Sequence, residues 1–74
     1  MTPQTLDARN LNCPLPILRT KKALNGMETG ELLTIQATDP GSVKDLSSFC
    51  EQTGNELVSS ETGNNEFIFV IRKT

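Results

Sequence analysis

"EFIFVIRK", residues 66–73, is the stretch that decides the fold. From Phe67 to Ile71 every residue is apolar, so an extended segment there is apolar on both faces. A strand of that kind belongs between two neighbours, in the middle of a sheet. Just before it, "TGNN" (62–65) carries hairpin-turn chemistry and "ELVSSE" (56–61) reads as a strand.

Working back from the hairpin, "DPGS" (39–42) breaks the chain and a helix follows, closed by Gly54. Ser42 and Asp45 resemble a capping box, with Asp in place of the usual Glu. Val43, Leu46, Phe49 and Cys50 share one side of this helix. "LLTIQAT" (32–38) reads as a strand with Leu33, Ile35 and Ala37 on one face. Pro14 to Asn25 reads as another helix. Its apolar stripe is Ile17, Thr20, Leu24 and Met27, with Ala23 beside it, and Asn25–Gly26 stops it. "QTLDA" (4–8) is short enough for an edge strand. The order β-α-β-α-β-β predicts an α/β two-layer sandwich with both helices on one face of the sheet. A right-handed crossover makes the first two strands parallel.

The 74 residues form one domain, 1–74, with a thin core. No apolar run approaches the ~20 residues of a membrane span, and no basic-then-apolar leader opens the sequence. Two cysteines make no disulfide framework, so a reduced, cytoplasmic setting is expected. Histidine is absent, which rules out a Ser–His or Cys–His pair within the chain and disfavours a zinc site. No cofactor or metal is expected.

Charge is split along the chain. Residues 1–27 hold four cations, Arg9, Arg19, Lys21 and Lys22, against Asp7 alone, a net of +3. Residues 28–74 hold three cations against eight acids, a net of −5. The basic part is either chance decoration of a helix or a field that favours a thiolate and an acidic partner surface. Direct nucleic-acid binding is disfavoured, because the whole chain carries −2 and its aromatic residues are three Phe.

In "LNCPLPIL" (11–18), Cys13 stands before Pro14 and Pro16. Proline suits the first turn of a helix and pushes the residue before it toward extended dihedrals. Cys13 is therefore expected at an N-cap-like position, where unpaired N–H groups and the helix dipole stabilise a thiolate. The helix begins at Pro14 or only at Pro16. The N–H groups of Leu15 and Ile17 are the donors left near the sulfur. There is no general base and no C-x-x-C, so a cysteine that receives and hands on a group fits better than one that catalyses alone. The alternative is a small structural residue at a helix start. Cys50, on the apolar side of its helix, reads as a buried thiol. Asp7 and Arg9 either orient the loop before Cys13 or are simply solvated.

These segments resemble the TusA/SirA family of small sulfur-carrier proteins. The resemblance runs through "DARNLNCPLP" (7–16), "GELLTIQATDPGSVKDLSSFC" (30–50), "GNELV" (54–58) and "FIFVIRK" (67–73). It implies a two-layer α/β sandwich with a mixed four-stranded sheet. It also implies that Cys13 carries sulfane sulfur as a persulfide, taken from a cysteine desulfurase or rhodanese-like donor and passed to an acceptor protein by direct contact. Family end uses are tRNA thiolation, molybdenum-cofactor supply and oxidative sulfur metabolism. Pro14, Pro16 and Leu15 then shape the site, and Arg19, Lys21 and Lys22 are candidates for docking a partner. Asn10 stands where the family commonly has Gly. Asn tolerates left-handed dihedrals, so the loop is expected to survive with altered contacts. The competing reading is a regulatory or redox-sensing binding module. An RNA-binding domain of similar topology is weakened by the charge and the few aromatics.

Overall fold

A computed structural model describes residues 4–12 and 14–74. Its elements are β1 (Gln4–Ala8), α1 (Leu15–Asn25), β2 (Leu32–Ala37), α2 (Ser42–Thr53), β3 (Glu56–Gly63) and β4 (Glu66–Arg72). The sheet order is β1-β2-β4-β3. β1 and β2 are parallel, and both other pairings are antiparallel. The last strand is thus central, as its two apolar faces require, and β1 is an edge.

Register places the core. Leu33 pairs with Ile71 and Ile35 with Phe69, so these four residues share a face. All four are buried with Leu24 and Met27 from and after α1, and Leu46 and Cys50 of α2, in one cluster. Both helices therefore cover that same face. Residues of the opposite parity, such as Thr34, Ile68 and Val70, are half-buried by their sheet neighbours alone.

In α1 the buried stripe is Pro16, Thr20 and Leu24, while Ile17 is half-buried. Thr20 sits there without an orphaned hydroxyl, because its Oγ1 donates to the Pro16 carbonyl at 2.8 Å. The helix starts between the two expected positions, at Leu15, with Pro14 as its N-cap and Pro16 in the first turn. Pro16 lacks an N–H that would have no partner at that depth of the helix anyway.

Three expectations fail at α2 and the hairpin. Ser42 does not cap α2. Gly41 holds the N-cap position without a side-chain bond, and Ser42 is buried with its hydroxyl donating to the Asp39 carbonyl at 2.6 Å. Val43 is 38% exposed, not core. Its helical angle matches that of Cys50, but side chains lean toward the helix N-terminus, and in the first turn that direction leads past the core. β3 runs on to Gly63, so the turn narrows to Asn64–Asn65, both with positive φ (51° and 63°). Two such residues make the tight hairpin turn whose twist matches the strands.

Candidate functional site

β1 leads into α1 and β2 leads into α2, and β1 and β2 are parallel. Both helices therefore start at the same end of the sheet. Residues 9–12 and 14, which join β1 to α1, lie there beside the loop over residues 38–41. Cys13 itself lies outside the described residues, but Pro14 holds the N-cap position expected of it, which corrects that expectation; the residues on either side define its surroundings.

Before it, Arg9 folds back on Asp7. Its Nε and NH2 donate to the two Asp7 carboxylate oxygens at 2.9 and 3.0 Å, and its backbone N–H donates to Oδ1 at 3.1 Å. A second carboxylate, Glu66, lies 3.8 Å from Arg9 NH1. The side-chain bond from Arg9, then its backbone bond, lowers the Asp7 pKa to about 2, and the same pairing raises that of Arg9. Of the two readings of this pair, the loop-orienting one matches the geometry.

Asn10 has a φ of 66°, in the left-handed region that asparagine tolerates better than most residues. Its N–H donates to Thr38 Oγ1 at 2.9 Å, joining the two loops. Past residue 13, the Leu15 N–H donates to the Asn12 carbonyl at 2.8 Å. That corrects the expectation that the Leu15 donor is left for the sulfur: the turn leading into the helix already uses it.

The outer side of α1 mixes apolar and basic groups. Leu15 is 43% and Leu18 53% exposed. Arg19, Lys21 and Lys22 are all exposed, and among the described residues none of them enters an ion pair. The helix contains no acid. Beside it, Pro14, Ile17 and Phe49 line a shallow cleft of about 240 Å³ with Asp45, Ser48 and Gln52. Pro14 thus faces both the loop and this cleft, and Pro16 serves the core.

Cys50 is 4% exposed, and burial pushes its thiol pKa up. Such a thiol is a poor nucleophile at neutral pH. Among the described residues, no cluster of His, Cys, Asp or Glu is placed to hold a metal, and no helix is long and apolar enough to cross a membrane.

Comparison with known proteins settles the family. The family model described as Sulfurtransferase TusA matches residues 4–73. The chain belongs to the TusA family. It is 58% identical over 71 residues to the sulfur carrier protein TusA of Allochromatium vinosum, covering 96% of this chain and 93% of that protein. A putative sulfur carrier protein of Neisseria meningitidis is 46% identical over 72 residues, covering 97% of each. The crystal structure of the SirA-like protein from Desulfitobacterium hafniense superposes with a TM-score of 0.80 at 30% identity, covering 92% of this chain and 93% of that one. The two helices and mixed four-stranded sheet agree with that fold.

Sequence reasoning missed the Asn10–Thr38 bond, the Arg9–Glu66 approach and the cleft walled by Phe49. The "ATDP" segment (37–40) was the available signal for the first, since its threonine directly follows a buried strand end. The other two depend on how distant elements meet, and no local pattern carries that.

Proposed function

We propose that the chain, acting as one domain, is a sulfur carrier whose Cys13 receives sulfane sulfur and hands it to an acceptor protein. The observation that carries this reading is membership of the TusA family at 58% identity to a protein named as a sulfur carrier. The outer side of α1 supports it, because exposed Leu15 and Leu18 beside three cations that enter no ion pair among the described residues make a surface suited to protein contact.

The chemistry is a thiol–persulfide exchange. The Cys13 thiolate attacks the outer sulfur of a donor cysteine persulfide. A new S–S bond forms on Cys13 as the donor S–S bond breaks, and the donor cysteine leaves as a thiolate. No outside oxidant or reductant is consumed. A second exchange of the same kind passes the outer sulfur to the acceptor cysteine. The start of α1 and its cations favour the anionic sulfur at each stage. Pro14 and Pro16 fix the backbone around it, and Leu15 presents an apolar contact next to it. Arg19, Lys21 and Lys22 steer an acidic partner.

The donor in this reading is a cysteine desulfurase or a rhodanese-like protein, and the setting is the cytoplasm. The acceptor serves tRNA thiolation, molybdenum-cofactor supply or sulfur metabolism. The test is intact mass after incubation with a cysteine desulfurase and cysteine. Gain of one sulfur atom, lost in Cys13→Ser, is the expected result. A wild-type chain that stays unloaded with every donor class points to the regulatory reading.

A further inference from the structure

We infer that Thr38 is a positioning residue for sulfur transfer: its hydroxyl oxygen holds the loop that leads into Cys13 at a fixed place against the sheet. The inference rests on the reading of Cys13 as the carrier.

The loop's other hydrogen bonds run back to the end of β1, and Arg9 NH1 also lies 3.8 Å from Glu66 of β4. Arg9 N–H donates to Asp7, two residues back, and Leu11 N–H donates to the Ala8 carbonyl at a long 3.4 Å. These bonds hold the start of the loop to β1, whose end is paired with β2. The Asn10–Thr38 bond spans 28 residues and ties the loop to another element. That element is firm. Ala37, just before Thr38, is fully buried, and β2 is paired on both sides, with Ala37 opposite Ala8 and Phe67. The strands therefore leave the sheet level with each other, and Asn10 comes beside Thr38.

Two features make the tie directional. Asn10 adopts left-handed dihedrals, which turn the chain that follows it away from the path of β1. Threonine is stiff at χ1, so its oxygen is presented in a narrow range of positions. From Asn10 the chain has two residues before Cys13, and the Asn12–Leu15 bond then leads into α1. Loosening Asn10 frees this short span at one end. Exchange between two sulfurs needs an in-line approach, and misplacement of a reacting group by about 1 Å can cost as much as 10²-fold in rate.

The test compares Thr38→Val, which keeps the shape and removes the acceptor, with Thr38→Ser, which keeps the acceptor. Thiolate absorbance against pH reads the Cys13 titration, since the Cys50 thiol is shifted upward by burial. Stopped transfer assays from a persulfidated donor read the rate. We expect Thr38→Val to remain folded, to transfer about tenfold more slowly, and to titrate closer to an ordinary thiol. Thr38→Ser restores both. A merely structural role would lower the melting temperature without moving the titration. Equal rate and titration in Thr38→Val and wild type, or a Thr38→Ser as impaired as Thr38→Val, overturns the inference. If Thr38→Val does not fold, hydrogen exchange at the wild-type Asn10 amide decides. Slowed exchange supports the tie, and exchange at the free-peptide rate overturns it. Failure of the carrier reading is separate: it appears as a wild-type chain that gains no sulfur, or as sulfur loading that persists in Cys13→Ser.

Discussion

Arg9 and Asp7, two residues apart at the end of β1, form a closed pair with three hydrogen bonds between them. The pair stands where the chain leaves the sheet for the loop over residues 9–14. Asp7 is held ionised, with its pKa at about 2.

The pair makes a pH prediction with a definite sign. The folded pKa of Asp7 lies below its unfolded value near 3.9. Its contribution to stability is therefore fully present above the unfolded value and is lost as pH falls through about 2. Carboxyl chemical shifts followed by NMR should place the Asp7 titration near 2 in the wild type. In Arg9→Ala it should return to the ordinary carboxylate range. An Asp7 that titrates normally in the wild type means that the pair does not persist in solution.

Asn10 offers a test of backbone strain. At φ 66° it occupies a region that costs most residues about 1–2 kcal/mol. Asn10→Ala should lower stability by about 1 kcal/mol, while Asn10→Gly, which carries no Cβ, should be nearly neutral. Urea denaturation of the three proteins measures this. Equal loss in Ala and Gly would show that the asparagine side chain, and not the dihedral, matters.

The cations of α1 give an electrostatic prediction. Lys21→Glu/Lys22→Glu should slow sulfur transfer, and the wild-type rate should fall as salt is raised. The fold should tolerate the change. Lys22 lies in the last turn of α1, where a cation is favoured, so its reversal costs about 0.3–1 kcal/mol. Lys21 is exposed and should cost within about 0.5 kcal/mol. Transfer rates that match the wild type at low salt would remove the steering role.

What was legible in the sequence divides by range. β4 was placed centrally because five consecutive apolar residues leave no solvent face. The stripe Leu33, Ile35, Ala37 is a period-two pattern that one strand states by itself. Leu46 and Cys50 likewise follow from a helical period. Val43 defeats the same period because burial depends on where along the axis the sheet ends, which no helical angle encodes. Ser42 passed for a cap because the motif is local, yet its hydroxyl answers to Asp39 in a preceding turn. At the candidate site the cysteine and prolines announce themselves, but Thr38 acts on Asn10 from 28 residues away. The threonine directly after the end of β2 marks an acceptor there, but no residue spacing names the N–H that it meets.

The last prediction separates the two cysteines. Cys50 is buried in the core cluster with Leu46 and Phe69, and burial raises its pKa. Alkylation of the native protein at neutral pH should therefore modify one thiol, Cys13, and denaturation should expose the second. Cys50→Ser places a hydroxyl among apolar side chains. It should cost about 1–3 kcal/mol unless the hydroxyl bonds a carbonyl of its own helix. The melting temperature should fall, while the folded fraction still gains sulfur from a desulfurase. Cys13→Ser should do the reverse, since serine is well accepted near a helix start and offers no sulfur to attack. Intact mass and calorimetry on both variants check the pair. Sulfur gained by Cys13→Ser, or lost only in a folded Cys50→Ser, would move the carrier to the buried position, against the burial and raised pKa of its thiol.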